Sequence, residues 1–352
     1  MPDAVQRRLA DVRRLADRVR TSSYEITSVC NLRCEGCLFF SGDHAYKHTE
    51  QTDPKSWEHF FASEAKRGVT VALLAGAEPA LAIDRVRAAW AHIPAGVVYT
   101  NGTRRIPDDI GYRLHISLWG ADETSELTRG ADVNAKALRN YAHDPRALFV
   151  YTINALNIDE IMPMVRACQD HGVQMTFNYF SPTETYLAEL KAEAAARTDF
   201  FRFSDAGRNL ILSPDDFARA RSVIEQAMDH YPETVVYSLA YDDWITRDGV
   251  YDLDENGVAR NCSNRIDEMH RAFLVDQSQS QLKCSNPTID CSECRTYVSS
   301  MASYIRNERR QILRRQGRSN WTEVFACWQD IFIGQQWDRL DAHVQGQLAE
   351  PL

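Results

Sequence analysis

Three cysteines fall within the run Cys30-Asn31-Leu32-Arg33-Cys34-Glu35-Gly36-Cys37. Three soft thiolates on one loop, with no fourth nearby, suit a particular inorganic group. A cubane iron–sulfur cluster needs an outer ligand on each of its irons, and Cys thiolate is the usual one. Three local thiolates leave the last iron open to a small molecule. A structural zinc site takes four ligands from paired knuckles; His44 and His48 follow Cys37 but lack knuckle spacing to another Cys. A disulfide framework needs an oxidising compartment and loop-rich surroundings. A redox pair cut from Cys34 and Cys37 leaves Cys30 without a purpose.

The spacing CxxxCxxC, placed just after the strand-like run Tyr24-Glu25-Ile26-Thr27-Ser28, resembles the radical S-adenosylmethionine (SAM) superfamily. That resemblance implies a [4Fe–4S] cluster on Cys30, Cys34 and Cys37, with SAM held on the free iron by its amino and carboxylate groups. It also implies reductive cleavage of SAM to a 5′-deoxyadenosyl radical, which takes a hydrogen atom from substrate. Chemistry this hard belongs to the cofactor, and the protein positions and shields it.

Further motifs extend the likeness. Gly76-Ala77-Glu78-Pro79 resembles the family's GGEP turn, which meets the SAM ammonium; Ala77 stands where the family has a second glycine. Small residues there allow close backbone approach. Asn101, in Thr100-Asn101-Gly102-Thr103, looks like a family turn, although Asn-Gly marks a turn in any protein. Ser117 ends a strand in Ile116-Ser117-Leu118-Trp119-Gly120 and is expected near the SAM ribose or carboxylate. Arg129 is expected to clamp that carboxylate, since guanidinium pairs bidentately with it. Asn154 matches a polar residue that many members turn toward SAM. One departure is Gly36, where the family places an aromatic residue against adenine; Phe39 or Phe40 is the expected substitute.

A second group, Cys262, Cys284, Cys291 and Cys294, flanks a hairpin-like stretch from Ala272 to Cys284, with the last pair expected on a following helix. It resembles the Twitch domain, the shorter relative of the SPASM domain, and implies an auxiliary [4Fe–4S] cluster with no open iron. Four thiolates suit zinc equally well. Cys168 and Cys327 read as core thiols, and either is a candidate hydrogen donor to a substrate radical of the kind some epimerases use, Cys327 ahead of Cys168.

The elements that must hold these residues are legible from periodicity. Strands are predicted at 23–28, 70–74, 96–100, 113–118, 148–153 and 174–179, with helices at 54–67, 83–92, 134–142 and 158–171. Strands alternating with helices indicate parallel βαβ units. The expected fold is α/β: a partial (β/α)6 TIM-like barrel over 21–240, a small auxiliary-cluster domain over 241–300 and C-terminal helices over 301–352. A helix over 3–20 precedes them. The motifs sit where a parallel barrel keeps its chemistry, at the C-terminal strand ends. Residues 183–212 interrupt the pattern as a lid or a packed connection, and a helix is expected to start at Ser213-Pro214.

Composition sets the outer bounds. The chain has 352 residues, 44% hydrophobic and 25% charged, with net charge −9. The acidic balance argues against nucleic acid or an anionic membrane as partner. No apolar run approaches the ~20 residues of a membrane span. The arginine-rich N-terminus has no apolar core of a signal peptide, and nine cysteines without one suggest the cytoplasm. The expected activity is a radical SAM oxidoreductase acting on a small polar metabolite of sugar or aminocyclitol type, with the auxiliary cluster accepting an electron and a flavodoxin or ferredoxin as electron donor. No separate peptide-recognition domain is expected before the core, and that expectation favours a small substrate. The alternatives are a peptide-modifying enzyme or epimerase and, from another class, a non-catalytic iron–sulfur or zinc binding protein.

Overall fold

The computed structural model of the protein describes residues 18–40, 46–192, 197–281, 283–284, 288–313 and 315–349. The helix expected over 3–20 and His44 lie almost wholly or wholly outside them.

Six strands follow the predicted alternation: β1 (Thr21–Glu25), β2 (Val71–Ala75), β3 (Ala95–Thr100), β4 (Arg113–Leu118), β5 (Ala147–Ile153) and β6 (Gln174–Tyr179). Each boundary lies within three residues of its expected place. The connecting helices are α1 (Pro54–Lys66), α2 (Ile83–His92), α3 (Asp122–Arg129), α4 (Asn134–Tyr141) and α5 (Ile161–Asp170). Asp53 caps α1, its side chain accepting from the Lys55 N–H with Pro54 at the first turn. Sequence periodicity missed α3, which is short and mostly polar (DETSELTR).

The sheet runs β6-β5-β4-β3-β2-β1-β7, with every pairing parallel. β7 (Ala272–Phe273) lies in the stretch expected as a hairpin. A turn does bring Phe273 antiparallel to Gln279, but Ala272 and Phe273 also add to β1 as a seventh parallel strand. Neighbouring strands stand about 4.8 Å apart, so a flat sheet would hold β1 and β6 roughly 24 Å from each other. Instead Ser23, Leu73, Tyr99, His115, Val150 and Asn178, one from each of β1 to β6, line a single cavity. The sheet is therefore curled into the expected partial barrel.

Beyond β6 come α6 (Glu184–Lys191), α7 (Pro214–His230), α8 (Leu239–Ile245) and α9 (Ser263–Ile266). Ser213 and Asp216 form a reciprocal capping box on α7. The tail folds as α10 (Tyr297–Asn307), α11 (Arg315–Phe332) and α12 (Trp337–Ala349), and it plugs the barrel floor. Ile331 O meets His115 Nε2 at 2.9 Å. The Gln336 amide pairs with both backbone groups of Gly96, at 2.7 and 3.0 Å. Trp321, Phe325, Trp328 and Phe332 stack along one face of α11.

Candidate functional site

The loop after β1 carries Cys30, Cys34 and Cys37, all half-exposed and all lining the cavity. Its backbone is docked on the end of α3: Arg33 N–H donates to Arg129 O at 3.3 Å, and Glu35 N–H to Thr128 O at 2.6 Å. Burial pushes the Cys30 thiol up, and pushes Cys37 up to about 12 with Cys34 adding to the effect. Deprotonation there needs a cation to compensate, as a metal cluster would. Among the described residues no three His, Cys, Asp or Glu side chains close on one point as a single ion demands; a cubane distributes its ligands over separate irons.

Gly36 explains the missing aromatic. Its φ is +61°, and a Cβ there would meet Phe180 Cζ and Tyr186 Cδ2, each at 3.0 Å. The space that a side chain at 36 would use is already filled with aromatic rings from the residue just after β6 and from α6. Phe39 and Phe40 are buried, line the cavity and pack with Cys30, Cys37 and Ala77.

The turn after β2 needs its glycine. Gly76 has φ +119°, and a Cβ would lie 2.6 Å from Thr27 O. Ala77 N–H donates to that same carbonyl at 2.9 Å, binding the turn to the start of the cysteine loop. Pro79 opens a short 3₁₀ turn and does not line the cavity. Glu78 does line it and is 1% exposed. Its Oε1 accepts from Thr100 Oγ1 (2.6 Å) and Ala80 N–H (3.0 Å), and its Oε2 from Asn101 N–H (2.7 Å). A carboxylate offers about four lone-pair sites, so Oε2 keeps one for a ligand donor. Burial raises the Glu78 carboxyl above its ordinary range, opposed by these hydrogen bonds.

Asn101 joins three segments. Its Nδ2 donates to Asn31 Oδ1 at 2.9 Å and approaches Cys30 Sγ at 3.8 Å, while its Oδ1 accepts from Thr103 Oγ1 at 2.7 Å. Arg129 is 1% exposed and lines the cavity. One Nη donates to Ser117 O at 2.6 Å, but Nε has no partner and no carboxylate pairs with the guanidinium among the described residues. A buried cation with a spare donor beside three thiols fits a carboxylate ligand.

Asn154 is placed differently from expectation. It is fully buried and does not line the cavity. Its side chain accepts from Leu156 N–H at 3.0 Å, and its own N–H donates to Asn157 Oδ1 at 2.8 Å, so it shapes the turn after β5. Thr152, still on the strand, points inward instead. Cys327 also moves away from its suggested role. It lies in α11 and lines a separate cavity with Gln174, at the opening of β6, and Tyr237. That is the opposite end of the strands from the cysteine loop, so its thiol does not face the site. Cys168 is core, with its sulfur 3.8 Å from Met175 Sδ.

Sequence reasoning missed the floor of the cavity. Ser23, Tyr99, His115, Thr152, Asn178 and Tyr297 line it. The inward period of two along each strand was the available signal. The cavity measures about 280 Å³.

The 197–212 segment sits on the cysteine loop as a packed connection. The buried Glu35 carboxylate accepts from Arg202 N–H (2.8 Å) and Ser204 N–H (3.1 Å). Phe200 stacks on Phe40 with centroids 4.6 Å apart.

In the second cysteine group, Cys262 is buried at the start of α9. Burial raises both the Cys262 and the Cys294 thiols, with Cys294 adding to the effect on Cys262 and Cys291 to that on Cys294. Arg265 reaches toward Cys291 Sγ at 3.9 Å. Cys291 and Cys294 stand in a turn ahead of α10, not on a helix as expected. Residues 282 and 285–287, which flank Cys284, lie outside the described residues.

No protein-family model and no curated protein matches this chain. Solved structures do share its fold. Streptococcus suis SuiB bound to S-adenosylmethionine is 12% identical with a TM-score of 0.53, over 78% of this chain and 63% of SuiB. SuiB bound to its precursor peptide SuiA gives the same score and identity, over 82% and 66%. Native anSMEcpe with bound AdoMet is 13% identical with a TM-score of 0.52, over 93% of this chain and 98% of that one. The chain thus spans slightly under two thirds of SuiB and nearly the whole of anSMEcpe. No helix among the described residues is long and apolar enough to cross a membrane.

Proposed function

We propose that this chain is a radical SAM enzyme of the oxidoreductase type. One observation carries the reading: Cys30, Cys34, Cys37, Gly76, Glu78, Ser117 and Arg129, from three strand ends and the end of α3, line one cavity at the mouth of a partial barrel. When bound, a three-thiolate [4Fe–4S] cluster with SAM on its open iron would supply a 5′-deoxyadenosyl radical able to take hydrogen from a C–H bond. The chain's own part is to bind and orient. Arg129, with its spare Nε, takes the SAM carboxylate; the free lone pair of Glu78 and the small turn at Gly76–Ala77 take the ammonium. Phe39, Phe40 and Phe180 keep water from the thiols. Fold-sharing structures that hold S-adenosylmethionine support the assignment.

Cys262, Cys284, Cys291 and Cys294 are assigned to an auxiliary [4Fe–4S] cluster that accepts an electron, with zinc the competing metal. A flavodoxin or ferredoxin in a reducing cytoplasm supplies electrons to the first. The substrate is assigned as a small polar metabolite, sugar- or aminocyclitol-like, because the floor of the cavity is lined by hydroxyl, phenol, amide and neutral imidazole groups. A peptide is the second reading, since SuiB, which shares the fold, binds a precursor peptide.

The test is anaerobic reconstitution. Iron and sulfide near eight per chain are expected for two cubanes, with a change in the electron paramagnetic resonance (EPR) spectrum on adding SAM and release of 5′-deoxyadenosine under reduction. Unaltered spectra and no nucleoside would defeat the proposal; about four irons with one zinc would reassign the second site.

A further inference from the structure

The second cysteine group forms part of the cavity wall. Ile289, two residues before Cys291, and Thr296, Tyr297 and Val298, just after Cys294, line the same cavity as the first three thiols. Two bonds fix this turn to the end of β6. Arg295 N–H donates to Ser181 Oγ at 2.8 Å, and Tyr297 N–H donates to Asn178 Oδ1 at 3.1 Å. Ser181 and Asn178 also line the cavity.

Thr296 belongs to both sites. It is the N-cap of α10, where a threonine oxygen ordinarily accepts from a helix N–H, yet its side chain makes no such cap. The hydroxyl instead lies 3.2 Å from Cys294 Sγ and 3.1 Å from Ser299 Oγ. The Thr296 N–H faces the same sulfur. A thiolate that ligates a metal carries no hydrogen and only accepts. On such a sulfur the Thr296 O–H donates to Cys294, and its oxygen keeps a lone pair for the Ser299 hydroxyl. A helix cap is thus forgone so that a donor can be aimed at a ligand sulfur. Arg265, which reaches toward Cys291 Sγ at 3.9 Å, adds a second donor to the group. Hydrogen bonds to the sulfurs help to set the potential of an iron–sulfur cluster, because a donor stabilises the more negative, reduced state.

We infer that Thr296 is a positioning residue that sets the potential of the cluster on Cys262, Cys284, Cys291 and Cys294, poising it to take an electron from the adjoining cavity. The inference rests on the auxiliary-cluster reading above. In the step it serves, the substrate radical loses one electron to that cluster and one proton to water, and Thr296 keeps its own proton throughout.

The test isolates the second site and needs no substrate. Full-length protein carrying Cys30→Ala, Cys34→Ala and Cys37→Ala is reconstituted anaerobically, so that the cluster retained, about four irons, belongs to the second group. An EPR-monitored redox titration reads its midpoint potential. Thr296→Val keeps the branched shape and the backbone N–H but deletes the donor; the potential is expected to move negative at unchanged iron content. Thr296→Ala, a second deletion, is expected to move it the same way, whereas Thr296→Ser keeps the hydroxyl and the parent potential. An unmoved potential in the valine and alanine variants, or an equal shift in the serine variant, overturns the role of Thr296. Loss of iron from both deletion variants overturns it as well, since the contact would then serve cluster assembly. Zinc, or no metal, in the triple-cysteine variant itself overturns the auxiliary cluster and this inference with it; the SAM response of the unsubstituted chain tests the enzyme class separately.

Discussion

Replacing Gly36 with alanine tests how tightly the aromatic wall sets the cysteine loop. Two costs arise. A non-glycine residue held at φ +61° loses about 1–2 kcal/mol. The new Cβ then stands 3.0 Å from both Phe180 and Tyr186, and neither ring yields easily. Tyr186 is pinned by its hydroxyl, which shares a 2.7 Å bond with Ser204 and accepts from Leu210 N–H at 3.1 Å. Phe180 is held edge-on against Tyr186 with centroids 5.5 Å apart. Overpacking of this kind costs about 1–3 kcal/mol, giving roughly 2–5 kcal/mol in all. Gly36 N–H also donates to Phe200 O at 2.8 Å, so relief by shifting the loop would weaken that bond and respace Cys34 and Cys37. Anaerobic urea unfolding of the metal-free protein measures the loss, and iron content after reconstitution measures the effect on the loop. A stability change under about 0.5 kcal/mol with full iron would refute the argument, because surface-like tolerance is incompatible with a packed left-handed glycine.

Arg129→Met removes a buried cation that has no carboxylate partner among the described residues. Because Arg129 also lowers the buried Glu78 carboxyl, the metal-free protein should lose some stability, while SAM affinity falls about 10–100-fold; unchanged affinity by equilibrium titration would exclude the clamp. Asn101→Ala deletes the amide that approaches Cys30 Sγ at 3.8 Å. Loss of an N–H donor to a ligand sulfur destabilises the more negative reduced cluster, so the midpoint potential should move negative in an EPR-monitored redox titration, and an unmoved potential counts against the contact. His115 is neutral in the fold because burial depresses it to about 3 from an ordinary 6.5. Between those values the unfolded chain binds the extra proton, so this group's contribution is complete above pH 6.5 and is lost as pH falls toward 3, at up to about 1.4 kcal/mol per pH unit. His115→Gln should flatten that part of the urea-midpoint profile, leaving the share of His270, which burial depresses to about 4; an identical slope would show that His115 is not the proton acceptor.

The sequence by itself determined the parts that are local in the chain. Cys30, Cys34 and Cys37 share one loop because eight contiguous residues carry all three. The obligatory Gly76 and the six strands of the barrel are likewise written in neighbouring residues, through conformational freedom and alternating βα patterns. Arg129 was legible as a residue type, although the polar helix that carries it was not. Tertiary structure decided what distance in the chain conceals. Tyr297 meets His115 across 182 residues, and Tyr99 joins them because the β3–β4 register sets it opposite His115. No spacing rule links residues gathered one from each strand, since each strand contributes by the face it presents. The same reasoning covers the misplaced expectations. Whether Thr152 or Asn154 faces the cavity depends on where the strand ends and its turn begins. Cys327 looks available in a helix, but which end of the barrel that helix plugs is settled by packing against His115 and Gly96.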